Sequence, residues 1–186
     1  VPDSASNPEA GVQPLAPPNV PDAIKAPTGE HVAGRFHVVA VETFACEPAS
    51  VDAGADAGAT DASLADAGAS YSWSSILLVA KIVDWDTYAV IGQHTHTPAP
   101  TFTSNDGSSV VGKPVAQVPS PTGSGGPWLL ITAVSHGGTG IFSNVTSLQR
   151  INTAGGAPPT APCDATTDPT AHQTVNGSAD FYYYTN

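Results

Sequence analysis

The sequence predicts a mainly β domain, an antiparallel β-sandwich or barrel with an extended Pro-rich N-terminal arm. Three observations carry that expectation. Glycine and proline each number 18 in 186 residues, a composition unsuited to a helical bundle. Short runs rich in β-branched and aromatic residues recur along the chain, punctuated by Gly, Asn and Asp turn signals. No stretch carries a convincing helical periodicity of apolar positions. The length suits one domain, here residues 31–186, with appendages rather than two separate cores.

Taken in order, residues 1–30 contain Pro2, Pro8, Pro14, Pro17, Pro18, Pro21 and Pro27. That density removes the backbone donors a helix or central strand needs, so the segment reads as an extended arm. It serves either as a stalk or as a strap along a sheet, its own or a neighbour's. Residues 35–46, RFHVVAVETFAC, read as the first strand. Residues 51–70 form an Ala/Gly/Asp insertion with little to bury. Its Asp52, Asp56, Asp61 and Asp66 lack the D-x-D-x-D-G spacing of a calcium loop, which favours a flexible insertion. Strand-like runs resume at 73–83, 88–96, 109–118, 128–135, 141–150 and 179–185, making seven strands in all.

Charge narrows the function. Five basic residues against 16 acidic ones leave a net charge of −11, so nothing here neutralises a row of phosphates, and a nucleic-acid partner is not expected. Charged residues make up 11% of the chain, so polarity rests on small neutral groups. The longest apolar run, residues 76–80, is far short of a membrane-spanning helix. The Val1-Pro2 start and the lack of any methionine imply a cleaved precursor, and removal of a secretory signal is the expected cause. Cys46 and Cys163 lie 117 positions apart, without a C-x-x-C partner for either. In an exported chain an even pair suggests a disulfide, the other reading being two buried thiols.

Several short patterns bear on chemistry. His94-Thr95-His96 places two imidazoles on one face of a strand about 7 Å apart, from which they can converge on copper or zinc. A third ligand would come from His37 or His136; without one, the pair reads as two half-exposed histidines. Residues 107–113 match G-x-x-x-x-G-K, but Pro114 stands where a magnesium-binding hydroxyl belongs, so no phosphate loop is expected. His136-Gly137-Gly138 lacks any accompanying nucleophile elbow and reads as a turn. Asp84-Trp85-Asp86 offers two carboxylates but fits a solvated turn better. Tyr182-Tyr183-Tyr184 alternates sides of a final strand and so presents at least one ring outward, as interfaces and sugar-contacting faces do. Asn144-Val145-Thr146 and Asn176-Gly177-Ser178 are glycan acceptor sequons.

The blocks Gly92-Gln93-His94, DGSSVVG at 106–112, PWLL at 127–130, residues 133–159 and ADFYYY at 179–184 occur in an order that resembles the secreted bacterial and fungal family catalogued as domain of unknown function 3455. The resemblance runs from about Val20 to Tyr184 and skips the insertion. It implies an exported β domain and a disulfide between Cys46 and Cys163, and it implies no catalytic residues. The chain departs from the family at 51–70 and at Thr101-Phe102, where a tryptophan is usual.

The resulting expectation is a secreted, non-catalytic structural or interaction protein. Its low-charge surface costs little to desolvate, and its partners are copies of itself or an extracellular matrix or glycan. The alternative is a secreted β-barrel that binds a small molecule or a metal, an enzyme of unknown reaction included.

Overall fold

The computed structural model describes residues 15–48, 70–96, 98–123, 125–164 and 172–186. The alanine-rich insertion with its four aspartates, and residues 1–14 of the arm, lie outside the described residues.

Eight strands follow in chain order: β1 His31–Pro48, β2 Tyr71–Asp84, β3 Val90–Thr95, β4 Thr101–Ser104, β5 Ser109–Val118, β6 Trp128–Gly137, β7 Ser147–Gly155 and β8 His172–Thr185. Each pairs antiparallel with the next, and β8 pairs antiparallel with β1, so the sheet closes into a barrel in simple up-and-down order. Closure satisfies both edges of every strand, which resolves the sandwich-or-barrel expectation.

Eight strands enclose a space just wide enough for side chains. Register shows how this chain fills it. Along β1 the inward positions step from Phe36 through Val38 and Ala40 to Glu42. Their partners are Phe181, Ala179 and Gly177 on β8 and Asp84, Ile82 and Ala80 on β2. Inward volume therefore falls along the axis. At the crowded end Phe36 stacks on Phe181 with ring centroids 5.3 Å apart and touches Phe102, Phe142 and Tyr183 at 5.8 to 6.0 Å. Edge and offset contacts of this kind add to the area the rings remove from water.

Two expectations need correction here. Residues 141–150 do not form one strand: 141–146 turn inward, and β7 begins only at Ser147 and continues to Gly155. The cause is capping. The Asp106 carboxylate accepts from the Ser108 hydroxyl (2.6 Å) and backbone N–H (2.9 Å) and from the Ile141 N–H (2.9 Å), and the Ser108 hydroxyl accepts from the Phe142 N–H. These donors hold the Asp106 carboxyl well below the usual carboxylate range, Ser108 first and Ile141 next. The capped turn drives Phe142 and Val145, both fully buried, into the core cluster of the barrel. Second, there are eight strands rather than seven. The missed one, β4, is four residues long and follows Pro98 and Pro100 closely, so its signal is short and broken.

The described part of the arm lies on its own barrel. A short 3-10 turn at Asp22–Ile24 brings Val20 and Ile24 against Leu130 of β6 and Ile151 of β7 on the outer wall, with Trp128 and Tyr182 alongside. Polar groups fasten the same contact. The Gln149 amide donates to the Ile24 carbonyl at 2.6 Å and accepts from the Tyr184 hydroxyl, and the Ser147 hydroxyl donates to the Glu30 carboxylate. Gln149 is buried with both ends of its amide engaged, the condition under which burying it costs little. Cys46 at the far end of β1 is disulfide-bonded to Cys163, and nearby the Trp73 indole donates to the Ala161 carbonyl at 3.0 Å. The disulfide pins the 156–164 segment to the barrel, and the free-thiol reading falls away.

Ile24 is the apolar anchor of the arm. Ile24→Ala is expected to cost about 2 to 5 kcal/mol of local stability and to free the arm, read as new proteolytic cleavage within residues 15–30 while the barrel's circular dichroism is unchanged.

Candidate functional site: a partly filled barrel interior

Where the inward side chains shrink to Ala40, Ala80 and Gly177, the barrel interior is left incompletely filled. Two cavities, of about 80 and 270 Å³, flank one group of residues: His94, His96, Arg150 and Phe181 line both. The smaller is bounded by Val38, Ala40 and Glu42, and the larger by Pro100, Pro114, Gln117, Pro127 and Leu129.

Each member is placed by strand alternation. His94 points inward from β3 opposite Phe102 of β4, and the two rings stack at 4.2 Å with planes 13° apart. Phe102 thus forms the surface under His94. His96 follows the end of β3, and its ring lies 4.8 Å from that of His94 at 62°. That is closer than the spacing expected for two residues along one flat strand. Arg150 points inward from β7 opposite Leu129, with Phe181 of β8 on its other side. Its guanidinium donates from Nε and Nη2 to the Pro127 carbonyl at 3.2 and 2.8 Å. Among the described residues no carboxylate lies within ion-pair distance of Arg150.

Electrostatics follow from this placement. Burial pushes the His94 imidazole down to about 3, with the neighbouring His96 adding to the effect and the Thr101 carbonyl opposing it. His96 is lowered too, by burial and then by the Arg150 charge. Both rings are therefore neutral near pH 7. His94 Nδ1 lies 3.0 Å from the Thr101 carbonyl, an acceptor, so Nδ1 carries the proton and Nε2 keeps its lone pair. Burial also lowers the proton affinity of Arg150, against an opposing contribution from Glu42, yet an arginine stays charged. The site therefore offers one fixed cation, two neutral imidazoles, an aromatic floor and, on the side of the smaller cavity, the Glu42 side chain.

Of the sequence-derived candidates, His94 and His96 come together as expected. His37 and His136 do not join them. His37 faces outward and bonds Asp180 at 2.7 Å, while His136 bonds the Val145 carbonyl at 2.7 Å. Among the described residues no three His, Cys, Asp or Glu side chains form a group able to hold a metal ion. Asp84 caps its own turn through Thr87, at 2.8 Å to N–H and 2.6 Å to the hydroxyl, and residues 107–113 run from a tight turn into β5. Asn144 and Asn176 are both exposed. Sequence reasoning missed Arg150, Glu42 and Phe181. The signal available for Arg150 was a lone cation in the otherwise uncharged run SLQRINTAG.

These features define a closed, eight-stranded up-and-down barrel whose interior is filled at one end and hollow around a charged group. The chain matches, over residues 27–185, the family described as "Protein of unknown function (DUF3455)", and it belongs to that family. No curated protein and no solved structure matches it.

The unfolded histidine binds a proton near its ordinary value of 6.5, and the folded His94 only near 3. Its contribution to stability is therefore complete above pH 6.5 and is lost as the pH falls toward 3, at about 1.4 kcal/mol per pH unit for one group. His94→Gln, which keeps an N–H donor but does not titrate, is expected to flatten the slope of denaturation free energy against pH between 6 and 4 by that amount.

Proposed function

We propose that this protein is a secreted binding protein whose barrel interior takes a small organic acid. The observation that carries the reading is Arg150: a guanidinium directed into a partly filled barrel interior, bonded to the Pro127 carbonyl and, among the described residues, within ion-pair distance of no carboxylate, while Glu42, which also lines the smaller cavity, acts on it only at longer range. A partly buried cation is costly unless compensated, and an anionic ligand supplies the compensation. The neutral His94 and His96 add hydrogen-bonding groups without competing for the anion. Phe181 and Leu129 offer apolar surface for the rest of the ligand. The cavity volume suits a compact molecule, smaller than most drug-sized ligands. Export agrees with the disulfide, since such bonds persist in oxidising compartments. In a host that modifies sequons, the exposed Asn144 and Asn176 would accept glycans.

A second reading, a structural protein that packs against copies of itself, draws support from the outer wall. Val39, Val41, Leu77 and Val79 on β1 and β2 are 42 to 54% exposed, and Val41 pairs directly with Val79. Contiguous outward apolar positions of this kind mark contact surfaces. Electron microscopy and size-exclusion chromatography of native material distinguish assemblies from dispersed monomers.

The first reading is tested by titrating the protein with small aromatic and aliphatic carboxylates, benzoate and hexanoate among them, followed by native mass spectrometry. Arg150→Gln is expected to weaken binding at least tenfold, and Leu129→Trp, which intrudes on the larger cavity, to abolish it. Equal binding by wild type and Arg150→Gln would count against the reading.

A further inference from the structure

Outside the barrel, a second cluster gathers residues from four elements. Arg35 and His37 point outward from β1, Tyr182 and Asp180 from β8, and Asn152 from β7, while Trp85, Asp86 and Tyr88 come from the β2–β3 turn. Trp85 stacks on the His37 ring at 4.1 Å with planes 19° apart, and Tyr88 stacks on the same ring at 5.7 Å and 13°. The Arg35 guanidinium lies over Trp85, 4.3 Å from the ring centroid, and Tyr182 approaches Trp85 at 6.1 Å. Asp180 holds His37 through one oxygen (2.7 Å) and the Asn152 amide through the other (2.9 Å).

Three features set this cluster apart from ordinary surface packing. Tyr88 and Asn152 are the two non-glycine residues with left-handed backbone among the described residues, at φ of 58° and 48°, and both belong to it. Asparagine tolerates that region; tyrosine rarely does, and persists there only when its surroundings over-determine it. The surroundings do so: Tyr88 N–H donates to the Asp84 carbonyl at 3.1 Å, Ala89 accepts from the Asp84 N–H at 2.8 Å, and the Asp84 carboxylate caps Thr87. Yet Tyr88, held this firmly, is 72% exposed. The turn thus fixes the Tyr88 backbone in a strained region and holds its ring in water against His37.

We propose that this face is a second binding site, for a neutral saccharide, with Tyr88 as the stacking platform. A pre-ordered ring loses little conformational freedom when a sugar's C–H face settles on it. Within the same cluster are polar groups suited to hydroxyls: the remaining nitrogen of His37, on whose ring Tyr88 stacks, the Asp180 and Asn152 pair that holds His37, and the Asp86 carboxylate, 3.9 Å from Arg35. Charge selects the class. The cation–π position over Trp85 is already filled by Arg35, which disfavours a cationic ligand. Asp86 and Asp180 against Arg35, within a chain of net charge −11, disfavour an anionic one. The site lies on the outer wall and shares no residue with the His94, His96 and Arg150 interior, so the two stand or fall separately.

The test is titration of ¹⁵N-labelled protein with cellohexaose, chitohexaose, mannohexaose and xylohexaose, following the Trp85 indole and His37 signals by NMR. At least one neutral hexaose is expected to bind and shift both. Tyr88→Phe is expected to bind within threefold of wild type. Tyr88→Gly, which relieves the backbone strain, is expected to melt at the same or a higher temperature while binding at least tenfold more weakly. Arg150→Gln is expected to bind the sugar as wild type does. Failure of all four sugars to shift the cluster at 10 mM, or undiminished binding by a folded Tyr88→Gly, would overturn the proposal.

Discussion

The pairing of β8 with β1 is the constraint on which everything else rests. Once the first and last strands share a ladder, from His31 against Thr185 to Ala45 against His172, the sheet has no free edge and its interior has a nearly fixed cross-section. The volume of each inward side chain then decides whether a given level is solid or hollow. Phenylalanines at positions 36, 102, 142 and 181 fill one level. At Ala40, Ala80 and Gly177 the inward side chains of three neighbouring strands are small, and the chain places its polar interior residues, His94 opposite Ala80 among them, next to that gap.

Closure also explains how the barrel treats its outer wall. A sheet with core on one face only leaves the other to water, and this chain handles different sectors differently. The β6–β7 sector is covered by the arm, which brings two apolar side chains and satisfies a buried glutamine amide. The β1–β2 sector carries exposed valines and a leucine. Between them, over β1 and β8, sits the aromatic column of Trp85, His37 and Tyr88. One fold therefore presents a filled end, a hollow level, a strapped wall and an aromatic face, each traceable to the residue types that alternation sends to that side.

The neutral state of His94 and the charge of Arg150 come from the same environment. Burial penalises a charged imidazole enough to keep it neutral, while the guanidinium, with far higher proton affinity, stays charged and settles for a backbone carbonyl. Their juxtaposition leaves a fixed guanidinium beside two imidazoles that are neutral near pH 7. Neither His37 nor His136 joins the pair as a third donor.

Alternating β-branched and aromatic runs, turn signals and scarce charge were enough to announce a β domain, the proline-rich arm and the proximity of His94 to His96, because these depend on local pattern and near neighbours; the cysteine pair, 117 positions apart, followed instead from its even number and the family resemblance. The eighth strand was hidden by its four-residue length, and the inward turn at 141–146 by a capping carboxylate 35 positions away. Which residues share the interior was decided by tertiary structure alone: Glu42, Arg150 and Phe181 meet His94 only through ring closure and register, which sequence spacing does not encode. The same holds for the outer face, where Tyr88, held by its own turn, meets His37 of β1, and Asn152 meets Asp180 of β8.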